Sequence, residues 1–205
     1  MEDIKNNIIE SARNLFLKYG IKSVTMDDIA QTLAISKKTI YQYFKDKDEL
    51  VSVVARAHME MEREAMDTMR QRAQNTIEEL VLISRCMREN HMRINPVVFW
   101  DLRKYYRTAW EIYQEYKKGV FYQSIRGALE RGVRQGYFRS DIDIETLAAL
   151  RLEQIQMCFN PEIFPDEKFD RVEVQKQLFE HFIYGLLSEK GRKEFFEYIS
   201  NYQEQ

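Results

Sequence analysis

The chain has 205 residues, enough for one large domain or a small domain joined to a larger one, and 44% of them are hydrophobic, enough for a real core. Seven glycines and three prolines are few for this length and argue against an all-β fold, whose turns consume both. A formal net charge of −2 excludes a global basic field, so any surface for a polyanion must be local. The two cysteines, Cys86 and Cys158, lack CxxC spacing and are expected as core thiols in a reducing compartment. The opening MEDIKNNIIE has no signal-peptide pattern, and no run of about 18 apolar residues occurs. A cytoplasmic protein without a membrane span is expected.

Ile4, Ile8, Ala12, Leu15, Phe16 and Tyr19 recur at spacings of three and four, which predicts a helix over 4–19 with Gly20 as its left-handed cap. Thr25-Met-Asp-Asp28 fits a capping box, opening a short helix with Ile29, Ala30 and Leu33 inward. Ala34-Ile35 forms a break, and Ser36 is the next N-cap. Ile40, Tyr41 and Phe44 are expected on the inner face of a third helix, 36–43. A fourth helix runs from 46 or 47 to about 72. Asn75-Thr-Ile-Glu78 opens another through about 91, and Asn95-Pro96 starts a long aromatic-rich stretch to Gln135, broken near Lys104 or Tyr105 and ended by Gly136. Helices near 143–158 and 170–188 follow, then a short one after Gly191. No strand pair is visible, so the fold class is all-α.

SKKTIYQYFKDK, residues 36–47, combines four lysines with three aromatic rings. Two short helices joined by a tight turn, behind a supporting helix, have helix-turn-helix proportions over residues 25–44. In that arrangement the second helix leads into the major groove with Ser36, Lys37, Lys38 and Thr39. Lys37, Lys38, Gln42 and Tyr43 lie on its open face, while Ile40 and Phe44 face the core. Hydroxyls and ammoniums there suit phosphates, and Lys37, Lys38 and Gln42 are best placed for base edges. A lysine-rich solvated hairpin fits the spacing as well.

The stretch TMDDIAQTLAISKKTIYQYFKDKDEL resembles the DNA-binding signature of the TetR family of bacterial transcriptional regulators. The resemblance is strong over residues 4–52. Weaker echoes occur in GVRQGYFRSDIDIETLAAL and YGLLSEKGRKEF. It implies an N-terminal three-helix helix-turn-helix domain, residues 1–50, and a larger helical ligand-binding and dimerisation domain, 51–205. By position it implies phosphate contacts from Thr25, Thr39, Tyr43 and Lys47, with Tyr41 packing or near the backbone. Two departures stand out: the family usually has Gly where this chain has Ala34, and commonly Gly at Lys38. A positive φ at Ala34 would cost about 1 kcal/mol.

A single head contacts few phosphates, so a homodimer is expected. Leu147 and Ile155 mark one candidate helix for its surface, and Leu178, Phe182 and Leu186 the other; the resemblance implies the same two helices. The aromatic middle of the chain is the expected ligand region. Phe99, Trp100, Tyr106, Trp110, Tyr113 and Tyr122 offer rings with polar tips, and Met87 and Met157 an adaptable wall, with His91 nearby. An apolar or cationic aromatic guest would suit such a wall. Arg103, Arg107, Asp101 and Glu111 fit solvated faces or i,i+4 pairs. No nucleophile elbow, P-loop, dinucleotide fingerprint or zinc-protease motif occurs, so no enzyme, metal or cofactor is expected. The expectation is a ligand-responsive regulator, a repressor released from double-stranded operator DNA by a small-molecule inducer. A constitutive DNA-binding or protein-interaction module is the alternative.

Overall fold

A computed structural model describes residues 2–91 and 94–203. The chain divides into two compact units, Met1–Arg63 with Arg93–Tyr116, and Glu64–Met92 with Lys117–Gln205. Residues 93–116 therefore fold with the N-terminal unit, not with the remainder of 51–205.

In the first unit, α1 (Glu2–Tyr19) buries Ile8, Ala12 and Phe16 against α2 (Met26–Thr32), α3 (Lys37–Tyr41) and the start of α4 (Lys47–Arg72). Gly20 ends α1 at φ +87, and a Cβ there would press on Val97 Cγ1 and Asp101 Oδ2 at 3.3 and 3.4 Å. That close approach lets α6 (Val97–Tyr105) lie directly against the turn after α1. The Asn95 amide N–H donates to the Leu17 carbonyl at 2.9 Å and fixes the entry to α6. Val98 and Leu102 of α6, and Ala109 of α7 (Arg107–Tyr116), complete the core around Ile29, Ile40, Phe44 and Leu50. Tyr106, at φ −125 and ψ 71, makes the break expected near 104–105. Ile4 and Tyr19, at the two ends of the expected α1 stripe, are exposed.

The second unit holds the remainder of α4, then α5 (Thr76–Cys86), α8 (Tyr122–Arg134), α9 (Ile144–Met157), α10 (Arg171–Leu186) and α11 (Glu189–Gln203). Asn75 caps α5, its Oδ1 accepting the Glu78 N–H at 3.0 Å. Two stretches expected as plain α-helix are π turns, Met87–His91 and Lys117–Phe121. Such wide turns often mark functional sites. The two weaker sequence echoes meet each other: Arg139 N–H donates to the Leu186 carbonyl and Ser188 N–H to the Tyr137 carbonyl, both at 2.9 Å. This antiparallel bridge, Phe138 to Leu187, joins segments with no strand signal. Gly132 is required beneath it, since a Cβ there would sit 2.1 Å from the Phe138 ring. The last helix begins at Glu189, ahead of Gly191.

Candidate DNA-binding surface and ligand region

The capping box at α2 is complete. Thr25 Oγ1 accepts the Asp28 N–H at 3.2 Å, while the Thr25 N–H and hydroxyl both donate to Asp28 Oδ2 at 2.7 Å. Those bonds, the backbone one foremost, hold the Asp28 carboxyl below its ordinary pKa. The Thr25 hydroxyl proton already has an acceptor, so donating it to a phosphate means taking it from Asp28. At α3, the Ser36 and Thr39 hydroxyls lie 2.8 Å apart and Ser36 Oγ accepts the Thr39 N–H at 3.1 Å. One hydroxyl proton joins the pair, which leaves the other for an outside acceptor.

The turn before α3 places Ala34 at φ 52. A non-glycine residue therefore sits in the left-handed region where the family usually has Gly. The recognition helix is five residues long, and Gln42, its C-cap, lies beyond its last residue. Ile40 is fully buried and Phe44 nearly so, while Lys37, Lys38 and Gln42 are exposed, as expected. Two rings exchange places relative to expectation. Tyr41, assigned to the inner face, is 46% exposed. Tyr43, assigned to the open face, is half-buried against the core. The helix is short and its last turn tightens, so 43 rotates inward beside Phe44. Lys37 Nζ pairs with Asp27 at 2.8 Å, which raises its pKa; both groups are well exposed, so the pair is weak and exchangeable.

Lys47 is not a free surface cation. Its ammonium donates to the Ile21 carbonyl at 2.6 Å and the Lys22 carbonyl at 3.3 Å, and lies 5.9 Å from the Phe16 ring centroid. Burial lowers its pKa, and Asp101 is the foremost charge opposing that shift. Asp101, expected on a solvated face, is 1% exposed and accepts the Lys22 N–H at 2.7 Å. A buried carboxylate on α6 thus clasps the α1–α2 turn from one side while Lys47 of α4 holds its carbonyls from another. The signal was in the sequence: Asp101 shares the inward face of Val98 and Leu102. Arg107 and Glu111 form the expected exposed i,i+4 pair at 2.9 Å.

The proposed ligand residues do not form one cluster. Phe99, Tyr113 and Trp110 do meet, with Tyr113 centroid distances of 5.6 and 5.4 Å. Tyr106 and Trp110 pack against the core of the first unit. The cavity beside Tyr113, lined also by Phe16, Ile21, Val54, Met59 and Leu102, has about 50 Å³. Ligand pockets run to roughly 300–1,000 Å³, and this cavity is too small for one. Trp100, at 51% exposure, meets Tyr105 edge-to-face under the Lys104 ammonium at the surface. Met87, Tyr122 and Met157 belong to the second unit. Met87 packs on Cys158 and Val174, and Tyr122 donates its hydroxyl to Glu145. The His91 side chain lies outside the described residues.

The dimer candidates divide similarly. Phe182 and Leu186 are buried inside the unit, in one cluster with Ile77, Leu129 and Phe195, and so are core. Leu147, Ile155 and Leu178 are half-buried. The large apolar side chains exposed on α9 and α10 are Leu150 and Tyr184. Sequence reasoning also missed a buried polar set. Arg131 pairs with Glu79 at 2.6 and 2.8 Å, Gln175 donates to Ser84 Oγ at 3.1 Å, and Arg151 is buried on α9. The order Leu147, Arg151, Gln154, Cys158 runs down one helix face and was the available signal for Arg151.

Among the described residues no helix is long and apolar enough to cross a membrane, and no cluster of metal-ligating residues occurs. Residues 8–54 match the sequence model described as bacterial regulatory proteins, tetR family. The HTH-type transcriptional regulator TtgR of Pseudomonas putida is 29% identical over 161 residues, spanning 72% of this chain and 74% of the relative. The HTH-type transcriptional repressor KstR2 of Rhodococcus jostii is 28% identical over 151 residues, 69% of this chain and 71% of the relative. A proposed transcriptional regulator from Saccharomonospora viridis, solved in complex with choline, shares the fold. Its TM-score is 0.79 at 18% identity, over 92% of this chain and all of that one. Residues 8–54 thus carry the DNA-binding signature of the TetR family of bacterial transcriptional regulators.

Proposed function

We propose that the chain is a homodimeric repressor, acting in the cytoplasm without catalysis, that occupies an operator and leaves it when a small molecule binds. The observation that carries the reading is the division of α3, with Ile40 and Phe44 sealed in the core and Lys37, Lys38 and Gln42 open on the other face. Placed in a major groove, those three would reach base edges, and Ser36, Thr39 and Tyr41 the backbone. Tyr43 and Thr25 hold the helices at the angle this requires, with a phosphate contact from each depending on small rearrangements. Lys47 has three donors and uses two on carbonyls, so the third serves a phosphate.

Dimerisation through α9 and α10 would place two such heads on one duplex, with Leu150 and Tyr184 as the apolar contacts. Release follows when a ligand favours a head spacing that no longer matches successive grooves, roughly 34–36 Å apart. Helix α4 runs unbroken from the first unit into the second, and it is the element that carries the shift. The small cavity beside Tyr113, about 50 Å³, favours the second reading, a constitutive binder, over an inducer site at that point.

Selection of fragments of the source genome by the purified protein, at two salt concentrations, tests the reading. Recovery of a palindrome with half-sites one helical turn apart is the expected result. Enrichment of no sequence, with binding erased by salt, rules out an operator-specific repressor. A recovered operator that no small molecule releases favours the constitutive module.

A further inference from the structure

We propose that the interior of the second unit binds an anionic small molecule, a carboxylate or phosphate carried on an apolar body, through the buried guanidinium of Arg151 on α9. The inference rests on the ligand-responsive reading above and gives its ligand a chemical class.

Arg151 is 6% exposed, and its guanidinium carbon lies 5.4 and 5.3 Å from the ring centroids of Phe179 and Phe182 on α10. Among the described residues no hydrogen bond or ion pair joins it to a partner. One turn further along α9, Gln154 is 7% exposed and its Oε1 accepts nothing. Among the described residues, the other buried polar groups of this unit are met. Arg131 holds Glu79 through two hydrogen bonds, and Arg88 reaches Ser84 Oγ at 2.9 Å and Gln175 Oε1 at 3.4 Å. Burial lowers the Arg151 pKa to about 10, so the group stays charged at neutral pH in a setting that disfavours its charge. Cys158, the ionisable neighbour acting on it, is pushed up by burial and stays neutral, so it supplies no counter-charge.

A buried cation with five N–H donors and aromatic faces around it has the chemistry of a carboxylate or phosphate receptor. The apolar side chains of Phe179, Phe182, Val174 and Leu178 suit a hydrocarbon body beside the charged head. The two rings cover the guanidinium, so a ligand reaches it by displacing them, which couples binding to a shift of α10 against α9. The same charge repels a quaternary ammonium, which separates this chain from the choline-bound relative in ligand class.

The test uses the full-length protein and a matched series: saturated fatty acids of graded length, their methyl esters, alkyl phosphates of equal chain, and alkyl trimethylammonium ions. Calorimetry is expected to show acids or phosphates binding at least tenfold more tightly than the ester or ammonium of equal length. Arg151→Met, close in volume, is expected to keep or raise the unliganded Tm while losing that discrimination, since an unpaired buried charge is removed. Arg151→Lys should retain part of it. Esters binding as tightly as acids, or no anion of the series binding the wild type, overturns the proposal without need of any variant. Arg151→Met that discriminates as the wild type does also overturns it. Operator selection on both proteins separates the two readings: loss of DNA binding in both sinks the repressor, whereas an operator bound by both but released by anion only in the wild type supports the site.

Discussion

Removing the Asp101 carboxylate is the most direct probe of how α6 holds the DNA-binding head. In Asp101→Leu the Lys22 N–H, part-buried and bonded at 2.7 Å, loses its acceptor, which costs about 1–3 kcal/mol. Lys47, whose ammonium is partly desolvated, also loses the charge that most opposes its pKa depression, worth a further ~0.5–1 kcal/mol after allowing for its solvent access. The sum is about 1.5–4 kcal/mol. Asp101→Asn keeps an acceptor of the same shape and forfeits only the charge, about 1 kcal/mol. Both tryptophans, Trp100 and Trp110, lie in the first unit, so their fluorescence during urea unfolding reports on that unit alone. With an m-value of about 1.5 kcal/mol/M, the midpoint should fall by about 1–2.7 M for the leucine variant and ~0.5–1 M for asparagine. Operator affinity should follow the same order, because the clasped turn positions Thr25. A leucine variant within ~0.5 kcal/mol of wild type would refute the clasp, as would an asparagine variant equally damaged.

Lys47→Ala should lower the salt slope of operator binding by about one and also destabilise the head, since its ammonium holds two carbonyls; titration of affinity against salt, with urea melts, separates the two effects. Ala34→Gly should stabilise the head by ~0.5–1 kcal/mol in the same melts, because relief of an alanine at φ 52, about 1–2 kcal/mol, exceeds the added unfolded-state entropy of ~0.4–1 kcal/mol. Tyr106 has its pKa raised to about 12 by burial, and secondarily by Asp48 and Asp101. Raised above its unfolded value near 10, it contributes stability that is full below about pH 10 and lost as pH rises toward 12. Tyr106→Phe should therefore flatten the alkaline limb of a stability profile between pH 10 and 12, and remove a late tyrosinate, near pH 12, from an ultraviolet titration. Leu150→Glu together with Tyr184→Glu should yield a folded monomer in sedimentation, whereas Phe182→Ala should lose about 3–5 kcal/mol of stability as a core truncation.

Helix periodicity, capping chemistry and glycine stops act between neighbours in sequence, and they were legible residue by residue. Gly20, Thr25, Ser36, Asn75 and Gly136 each stand where the chain turns or starts a helix, because a hydroxyl, an amide or a missing Cβ satisfies or permits the backbone locally. The same rules placed Lys37, Lys38 and Gln42 on the open side of α3 opposite Ile40. They could not say which partner each face meets. An aromatic stripe on α6 and α7 reads alike whether it lines a pocket or packs on a core, and the structure put Tyr106 and Trp110 half-buried against the core and Trp100 at the surface. Phe182 and Leu186 look like an interface until α5, α8 and α11 are folded over them. The buried charges were decided at the same level. Asp101 is held by a backbone N–H 79 positions away, and Arg151 is enclosed by rings from another helix. Amphipathicity fixes which face is buried, but only contacts distant in sequence decide what it is buried against, and with it what a charge there can bind.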